Sequence, residues 1–396
     1  MTLAASSLTG VSQKVSARHW QQTLLAFLLA AFTISCDEKH QSQNVESRPK
    51  RFQTATINNI EPRRDVAGKI IDAHGGCLQF FEGRYYLYGT AFGTNESSTA
   101  LNCPFRVYSS PDLERWTYEG ELLKDQPRGV YTRPCVVFNP HTHKYVLWYN
   151  WLPKLWNGQI AVATSDSPVG PFTIVNPNVR VFGSRPGDGS LFVDDDGTGY
   201  YIYTSMGDGY AVRVERLKPD YLGPTGETSS ILVKGGEAPV LFRRNNLYYA
   251  LCGPLCPDCP EGSDVHVFIS ISPLGPFGIA PNINRHPESG DPTAWTQQTW
   301  TVDVPGGKVV PPLTNKITYQ NNAPVIPAQE TWVARIPMSG GPAFIWMADR
   351  WQSAPDGIKG HDFQFWSAPL KFNPYNDTIL PIKNIGRWDI TWAWGD

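Results

Sequence analysis

Three acidic residues sit where a carboxyl group could exchange a proton with a bound molecule: Glu237 in Gly236-Glu237-Ala238-Pro239, Asp188 in GSRPGDGS, and Asp72 in IDAHGG. Glu237 opens an apolar run, where partial burial raises a carboxyl pKa and keeps the proton on near neutrality. That makes it a candidate general acid; the plainer alternative is a strand-start glutamate bonded to backbone. Asp188 lies in a Gly-rich turn and reads either as a companion carboxylate or as a turn aspartate. A protonated carboxyl beside ionised ones is the equipment of general acid–base chemistry.

The positioning elements repeat along the chain. An apolar strand, a turn with Gly or Asn, and an aromatic-rich strand recur as CLQFFEGRYYLYGT from Cys77, CVVFNPHTHKYVLWYNW from Cys135, SLFVDDDGTGYYIYTS from Ser190, PVLFRRNNLYYALCG from Pro239 and WVARIPMSGGPAFIWMADRW from Trp332. Each is a hairpin signal. A second phrase follows most copies: VYSSPDLERW, VATSDSPVGPF, FISISPLGPF and the looser FQFWSAPL. Two hairpins per repeat make a four-stranded blade. Five blades closed around an axis give an all-β, five-bladed β-propeller that leaves no long exposed edge. The 35 Gly, 34 Pro and 12% aromatic content suit short strands and tight turns and are poor material for long helices.

In a propeller the first residues of each innermost strand point into a central funnel. Polar residues just before each copy therefore converge: Asp72 and His74, Thr132 and Arg133, Arg185 and Asp188, then Glu237. Carboxylates entering one funnel from different blades suit glycosidic hydrolysis, in which an acid protonates the leaving oxygen and a base activates water on the opposite face. Trp151, Trp156, Trp295, Trp300 and Trp351 lie in or beside loops where an indole can stack on a sugar, although any of them can equally belong to the core. Arg133 and Arg350 can bond sugar hydroxyls, and His74 can do so or line the axial channel beside a water or metal. With 34 Lys plus Arg against 36 Asp plus Glu, no field draws the chain to nucleic acid or to an anionic membrane, and a neutral oligo- or polysaccharide is the expected partner of a monomer.

The propeller is expected over residues 61–396. Residues 1–36 read as a signal peptide, with Lys14 and Arg18 ahead of an apolar stretch from Leu24 to Thr33 that is too short to span a bilayer. Small residues before Cys36 resemble a lipoprotein cleavage site, so the protein is expected to be exported to the periplasm or beyond, by lipid anchorage at Cys36 or by ordinary cleavage. Residues 37–60 read as a flexible linker without apolar period. The other six cysteines allow up to three disulfides, with Cys256-Pro257-Asp258-Cys259 as a loop staple rather than half a zinc site. Asp194-Asp195-Asp196-Gly197 reads as a solvated hairpin turn rather than a metal loop. No cofactor is required; a structural calcium in the central channel is the one ion left open.

The strings IDAHGGCLQFFEGRYYLYGT, SPDLERW, SDSPVGPF, SLFVDDDGTGYYIYTS, GEAPVLF and FIWMADRW, in this order, resemble glycoside hydrolase family 43, and AHGG with ADRW is most similar to its exo-galactanase branch. The resemblance spans roughly Asp65 to the C-terminus. It implies an inverting glycosidase on galactose- or arabinose-containing glycans, with Glu237 as acid and Asp188 tuning and orienting it. The family's usual blade-one base is replaced here by the His74-Gly75-Gly76 register. In the branch a Gln substitutes, most nearly Gln298 in WTQQTW, with Asp72 as the other candidate. Thr132 stands where the branch carries a substrate-binding Glu, and Thr90 where its first blade usually ends in Gly-Glu. These losses leave a catalytically impaired, carbohydrate-binding propeller as the alternative.

Overall fold

The computed structural model describes residues 51–256, 258–286, 302–304, 307–309 and 323–394. Their regular structure is almost all strand, with two 3₁₀ turns and no α-helix among the described residues. Blade I comprises Leu78–Phe81, Arg84–Thr90, Phe105–Ser110 and Thr117–Glu121. Blade II comprises Val130–Asn139, Lys144–Lys154, Asn157–Ser165 and Thr173–Asn176. Blade III comprises Pro186–Val193, Gly199–Ser205, Ala211–Leu217 and Pro224–Thr228. Blade IV comprises Gly236–Arg244, Leu247–Pro254, His266–Ser270 and Gly278–Ala280. Blade V comprises Gln329–Ile336, Ala343–Arg350 and Phe363–Trp366. A short backbone ribbon pairs Val302–Val304 with Gly307–Val309.

Strands follow one another outward in chain order within every blade, and the innermost strands pack neighbour on neighbour around the ring, which is the expected five-bladed propeller. The second strands are buried nearly end to end, as in Tyr85 to Thr90 and Gly199 to Ser205, because adjoining blades cover both their faces. Outermost strands such as Thr117–Glu121 are largely exposed and read as polar. Aromatic rings join the blades: Trp148 of blade II lies 4.6 Å from Tyr201 of blade III, and Trp116, just before the fourth strand of blade I, meets Trp366 of blade V edge-on at 6.0 Å.

Irregular innermost strands aim the funnel residues. Register slips between Thr132 and Cys135, Pro186 and Gly189, Glu237 and Val240, and Glu330 and Trp332. Arg133 and Ala238 take positive φ, 56° and 53°, inside these irregularities. A bulge leaves a residue out of the ladder and turns its neighbours toward a new direction. Here that direction is the axis: Arg133 and Asp188 leave the ladder to face a shared cavity, while Thr132 and Glu237 border it from positions opposite Asn150 and Gly253.

The ring closes through a two-stranded antiparallel ribbon, Arg51–Asn58 against Arg387–Trp394, with Arg51 opposite Trp394. This corrects the expected linker over 37–60, whose last part is strand with Ala55 and Ile57 turned inward. Buried Asn59 fixes the ribbon: its amide nitrogen donates to the carbonyls of Trp366 and Ile385, both at 2.9 Å, and its oxygen accepts the Trp366 N–H at 2.9 Å. Trp392 meets Tyr85 of blade I edge-on at 6.2 Å, so the ribbon spans blades V and I.

Cys256 and Cys259 form a disulfide, as the staple reading expected. Cys77, Cys103, Cys135 and Cys252 are buried free thiols, so of the three possible bridges one is present among the described residues. Asp194 corrects another expectation. It is buried, accepting from Arg243 Nη1 and Tyr248 Oη, each at 2.6 Å, and thereby ties blade III to blade IV.

Candidate active site

The funnel is an open cleft of about 830 Å³, counted out into the solvent at its mouth. His74, Thr132, Arg133, Asp188 and Glu237, all expected from sequence, line it together with Gln329, which was not expected.

Glu237 is half-buried at the start of blade IV. Gly236 precedes it because a Cβ there would fall 2.6 Å from Val212 Cγ2. Burial first, and repulsion from Asp188 second, push the Glu237 carboxyl from 4.5 up to about 7; the Cys256 N–H and Arg133 oppose the rise. The Cys256 N–H donates to Glu237 Oε2 at 2.7 Å and Gln329 Nε2 to the same oxygen at 3.1 Å. Asp188 stands 2.7 Å from Arg133 Nη2. The following Gly189 is required, since a Cβ would lie 2.2 Å from the Tyr201 hydroxyl. Burial works against the charge of Arg133, but Asp188 outweighs it and the guanidinium pKa is raised. The site therefore holds a proton-carrying carboxyl beside an ion-paired one.

Asp72 does not reach the funnel, which corrects its candidacy as a base. Its carboxylate accepts the N–H groups of Phe92 and Gly93 at 2.9 and 2.8 Å and lies 3.7 Å behind His74 Nε2. His74 has no exposed surface, and its Nδ1 is 3.1 Å from Asp349 Oδ1. Burial alone would discharge the ring, but Asp349 by charge and hydrogen bond, with Asp72, raises its pKa to about 9. An imidazolium thus occupies the blade-one position, and Asp349 Oδ2 also accepts the Gly75 N–H at 2.7 Å. Among the described residues no cluster of three or more His, Cys, Asp or Glu side chains is placed to hold a metal ion.

Thr132 keeps a hydroxyl on the cavity wall, 3.3 Å from Asn150 Oδ1. Arg185 is exposed and Arg350 sits at the end of the middle strand of blade V; neither lines the funnel, which corrects both binding assignments. Trp156, 51% exposed, stands at the funnel mouth, whereas Trp351 lies buried in its wall and Trp151 packs against the core. Gln298, Trp295 and Trp300 lie outside the described residues.

Gln329 opens the innermost strand of blade V. The placement rule that picked out Glu237 before blade IV, applied before Trp332, would have found it. Its Oε1 accepts the Trp351 Nε1–H at 2.8 Å. Asp258, on the disulfide loop, is a further unexpected carboxylate on the wall. Beside Gln329, Glu330 is fully buried, accepts from Trp346 Nε1 at 2.8 Å, and is raised by burial to about 8.

A funnel of this form, with an elevated glutamic acid beside an arginine-bound aspartate, is the layout of a glycoside-hydrolase propeller. Residues 78–299 match the model for glycosyl hydrolases family 43, and the chain belongs to that family. It is 27% identical over 295 residues to an arabinoxylan arabinofuranohydrolase of Bacillus subtilis, covering 60% of this chain and 55% of that one. To the Paenibacillus polymyxa protein of the same name it is 26% identical over 255 residues, covering 54% and 39%; the chain thus spans about half or less of the length of these curated relatives. Among solved structures it resembles an exo-β-1,3-galactanase of Phanerochaete chrysosporium with galactose (TM-score 0.65, 22% identity, 85% of this chain and 68% of that one). It also resembles the exo-β-1,3-galactanase of Clostridium thermocellum (TM-score 0.62, 24% identity, 84% and 66%). At these identities the structural likeness establishes the fold.

Proposed function

We propose that this chain hydrolyses glycosidic bonds with inversion, releasing sugar from galactose- or arabinose-containing glycans. The observation that carries the reading is the Glu237 carboxyl, held protonated up to about pH 7 in the same funnel as the Arg133-bound Asp188. Glu237 gives its proton to the leaving oxygen as the glycosidic C–O bond breaks, and water forms the new C–O bond from the opposite face. The resulting carboxylate is then received by the Cys256 N–H and the nearby Arg133. Asp188 holds the proton on Glu237 by repulsion until transfer. Gln329 Nε2, 3.1 Å from Glu237 Oε2, holds the acid in place on its own side of the sugar; Gln298 stays the candidate for orienting the water on the other side, and the water's surplus proton leaves to solvent.

A near-neutral chain and the printed activities of the relatives, arabinoxylan arabinofuranohydrolases and exo-β-1,3-galactanases, support a neutral glycan. The reading uses no cofactor and a monomer acting outside the cytoplasm, with Cys36 either lipid-bearing or removed with the leader; mass spectrometry of the mature N-terminus separates the two. Incubation with β-1,3-galactotriose and with arabinoxylan, following monosaccharide by chromatography and its anomer by NMR, tests the activity. Wild type should release sugar of inverted configuration and Glu237→Gln none; retained configuration, or undiminished turnover by the variant, overturns the assignment.

A second reading, a carbohydrate-binding propeller without turnover, is favoured by the His74 imidazolium where a base would stand. Saturable calorimetric binding of the same glycans, with no product on long incubation, would select it.

A further inference from the structure

A carboxylate that the acid–base scheme leaves unused stands on the funnel wall. Asp258 follows Cys256 by two residues inside the Cys256–Cys259 disulfide loop, and the Cys256 N–H is the group bonded to Glu237 Oε2 at 2.7 Å. Asp258 Oδ1 accepts from Lys359 Nζ at 2.6 Å and Oδ2 from the Ser98 N–H at 3.1 Å; its carbonyl accepts from Gln352 Nε2 at 3.0 Å. Lys359 lies 3.9 Å over the Trp351 ring, Trp351 Nε1 donates to Gln329 Oε1, and Gln329 Nε2 returns to Glu237 Oε2. The contacts form a closed circuit that begins and ends on the general acid.

The burial of this circuit is uneven. The Lys359 side chain is 3% exposed, whereas that of Asp258, lining the cavity, is 21% exposed. Sequestering an ammonium is costly, and a buried ion pair is a poor way to add stability. Spending a buried cation on a carboxylate that faces an open funnel makes sense if the carboxylate must stay ionised and fixed there. Lys359 and the Ser98 N–H do hold its pKa below the usual carboxylate range, although its own partial burial opposes them. A carboxylate has about four acceptor sites, so Lys359, the Ser98 N–H and the Ser97 hydroxyl, 3.4 Å from Oδ2, still leave capacity toward the cavity. Elsewhere on this wall Thr132 offers a hydroxyl, whereas that of Thr90 is buried and donates to the Tyr131 carbonyl.

We propose that Asp258 is a substrate-binding residue that accepts hydroxyl hydrogen bonds from the sugar whose linkage Glu237 protonates, and that the disulfide loop positions the two carboxyl groups together. The inference rests on the glycosidase reading above. The ligand class is a neutral sugar presenting free hydroxyls to a fixed anion.

Kinetics of Asp258→Asn on β-1,3-galactotriose or on an arabinoxylan oligosaccharide, whichever wild type cleaves, test it. Loss of a charge-assisted hydrogen bond should raise KM by about tenfold or more while kcat stays within about threefold. Calorimetry in a Glu237→Gln background should show the same loss of affinity with no turnover to complicate it. Lys359→Arg, which keeps the cation but displaces its partner, should move KM in the same direction and serves if Asp258→Asn folds poorly. Unchanged KM and affinity in folded Asp258→Asn overturn the inference. So does a collapse of kcat that azide restores, which would make Asp258 a reacting group instead of a binding one. A wild-type chain that neither binds nor cleaves these glycans overturns the functional reading itself, a result distinct from a selective failure of the variant.

Discussion

Arg133 Nη2 lies 2.7 Å from Asp188 Oδ2 while its Nη1 donates to the Glu330 carbonyl at 3.1 Å, so one guanidinium from blade II holds blades III and V at the floor of the funnel. Replacing it with Met should strand Asp188 without its cation and cost about 3–5 kcal/mol of stability. Arg133 also draws down the Glu237 pKa. The pH–kcat/KM profile of surviving folded Arg133→Met should therefore show its basic limb displaced upward, readable in parallel with a denaturant melt.

Glu237 must carry its proton to act. Because burial and Asp188 raise it from 4.5 to about 7, kcat/KM should fall as pH rises through about 7, approaching tenfold per unit above it. Asp188→Asn removes the repulsion and should bring that limb to lower pH. A limb that stays put in Asp188→Asn would show that Asp188 does not tune the acid.

His74 makes a separate pH signature. Its pKa is raised from 6.5 to about 9, so its contribution to stability is full below 6.5 and is lost as pH rises through about 9. Melting temperature should decline across that window. Asp349→Asn, which removes the main partner, should lower the melting temperature at pH 6 and flatten the decline.

Asn59 satisfies three backbone groups at the ribbon. Asn59→Ala leaves buried donors and acceptors unpaired, each costing about 1–3 kcal/mol. The chain should melt markedly earlier, with the pH profile of any activity unchanged, because Asn59 does not line the funnel.

The blades were legible because each hairpin carries its own turn residues and its own apolar strand, information local to a stretch of about twenty residues. The ribbon was not. Over residues 52–58 Ala55 and Ile57 are the buried apolar residues, too short an apolar period to signal a strand whose partner lies at the other end of the propeller. Glu237 and Asp188 were legible for the same reason as the blades, since they open repeats. Asp72 occupies an equally suggestive position, but backbone donors from Phe92 and Gly93 draw its carboxylate away behind His74. Asp258 and Lys359 come from connections between strands, on different blades, and no periodicity in the sequence brings them together.

The pairing of Arg51 with Trp394 gives the ring a seam. Within each blade, neighbouring strands follow one another along the chain, whereas at the seam blade V is joined to blade I by hydrogen bonds and packing alone. Amide protons along the seam should then exchange at lower free energy than those of the blade interiors. A permuted chain that covalently joins residue 51 to residue 394 and opens instead at a distal hairpin would turn the one join of the wheel that the chain does not cross into one that cannot part.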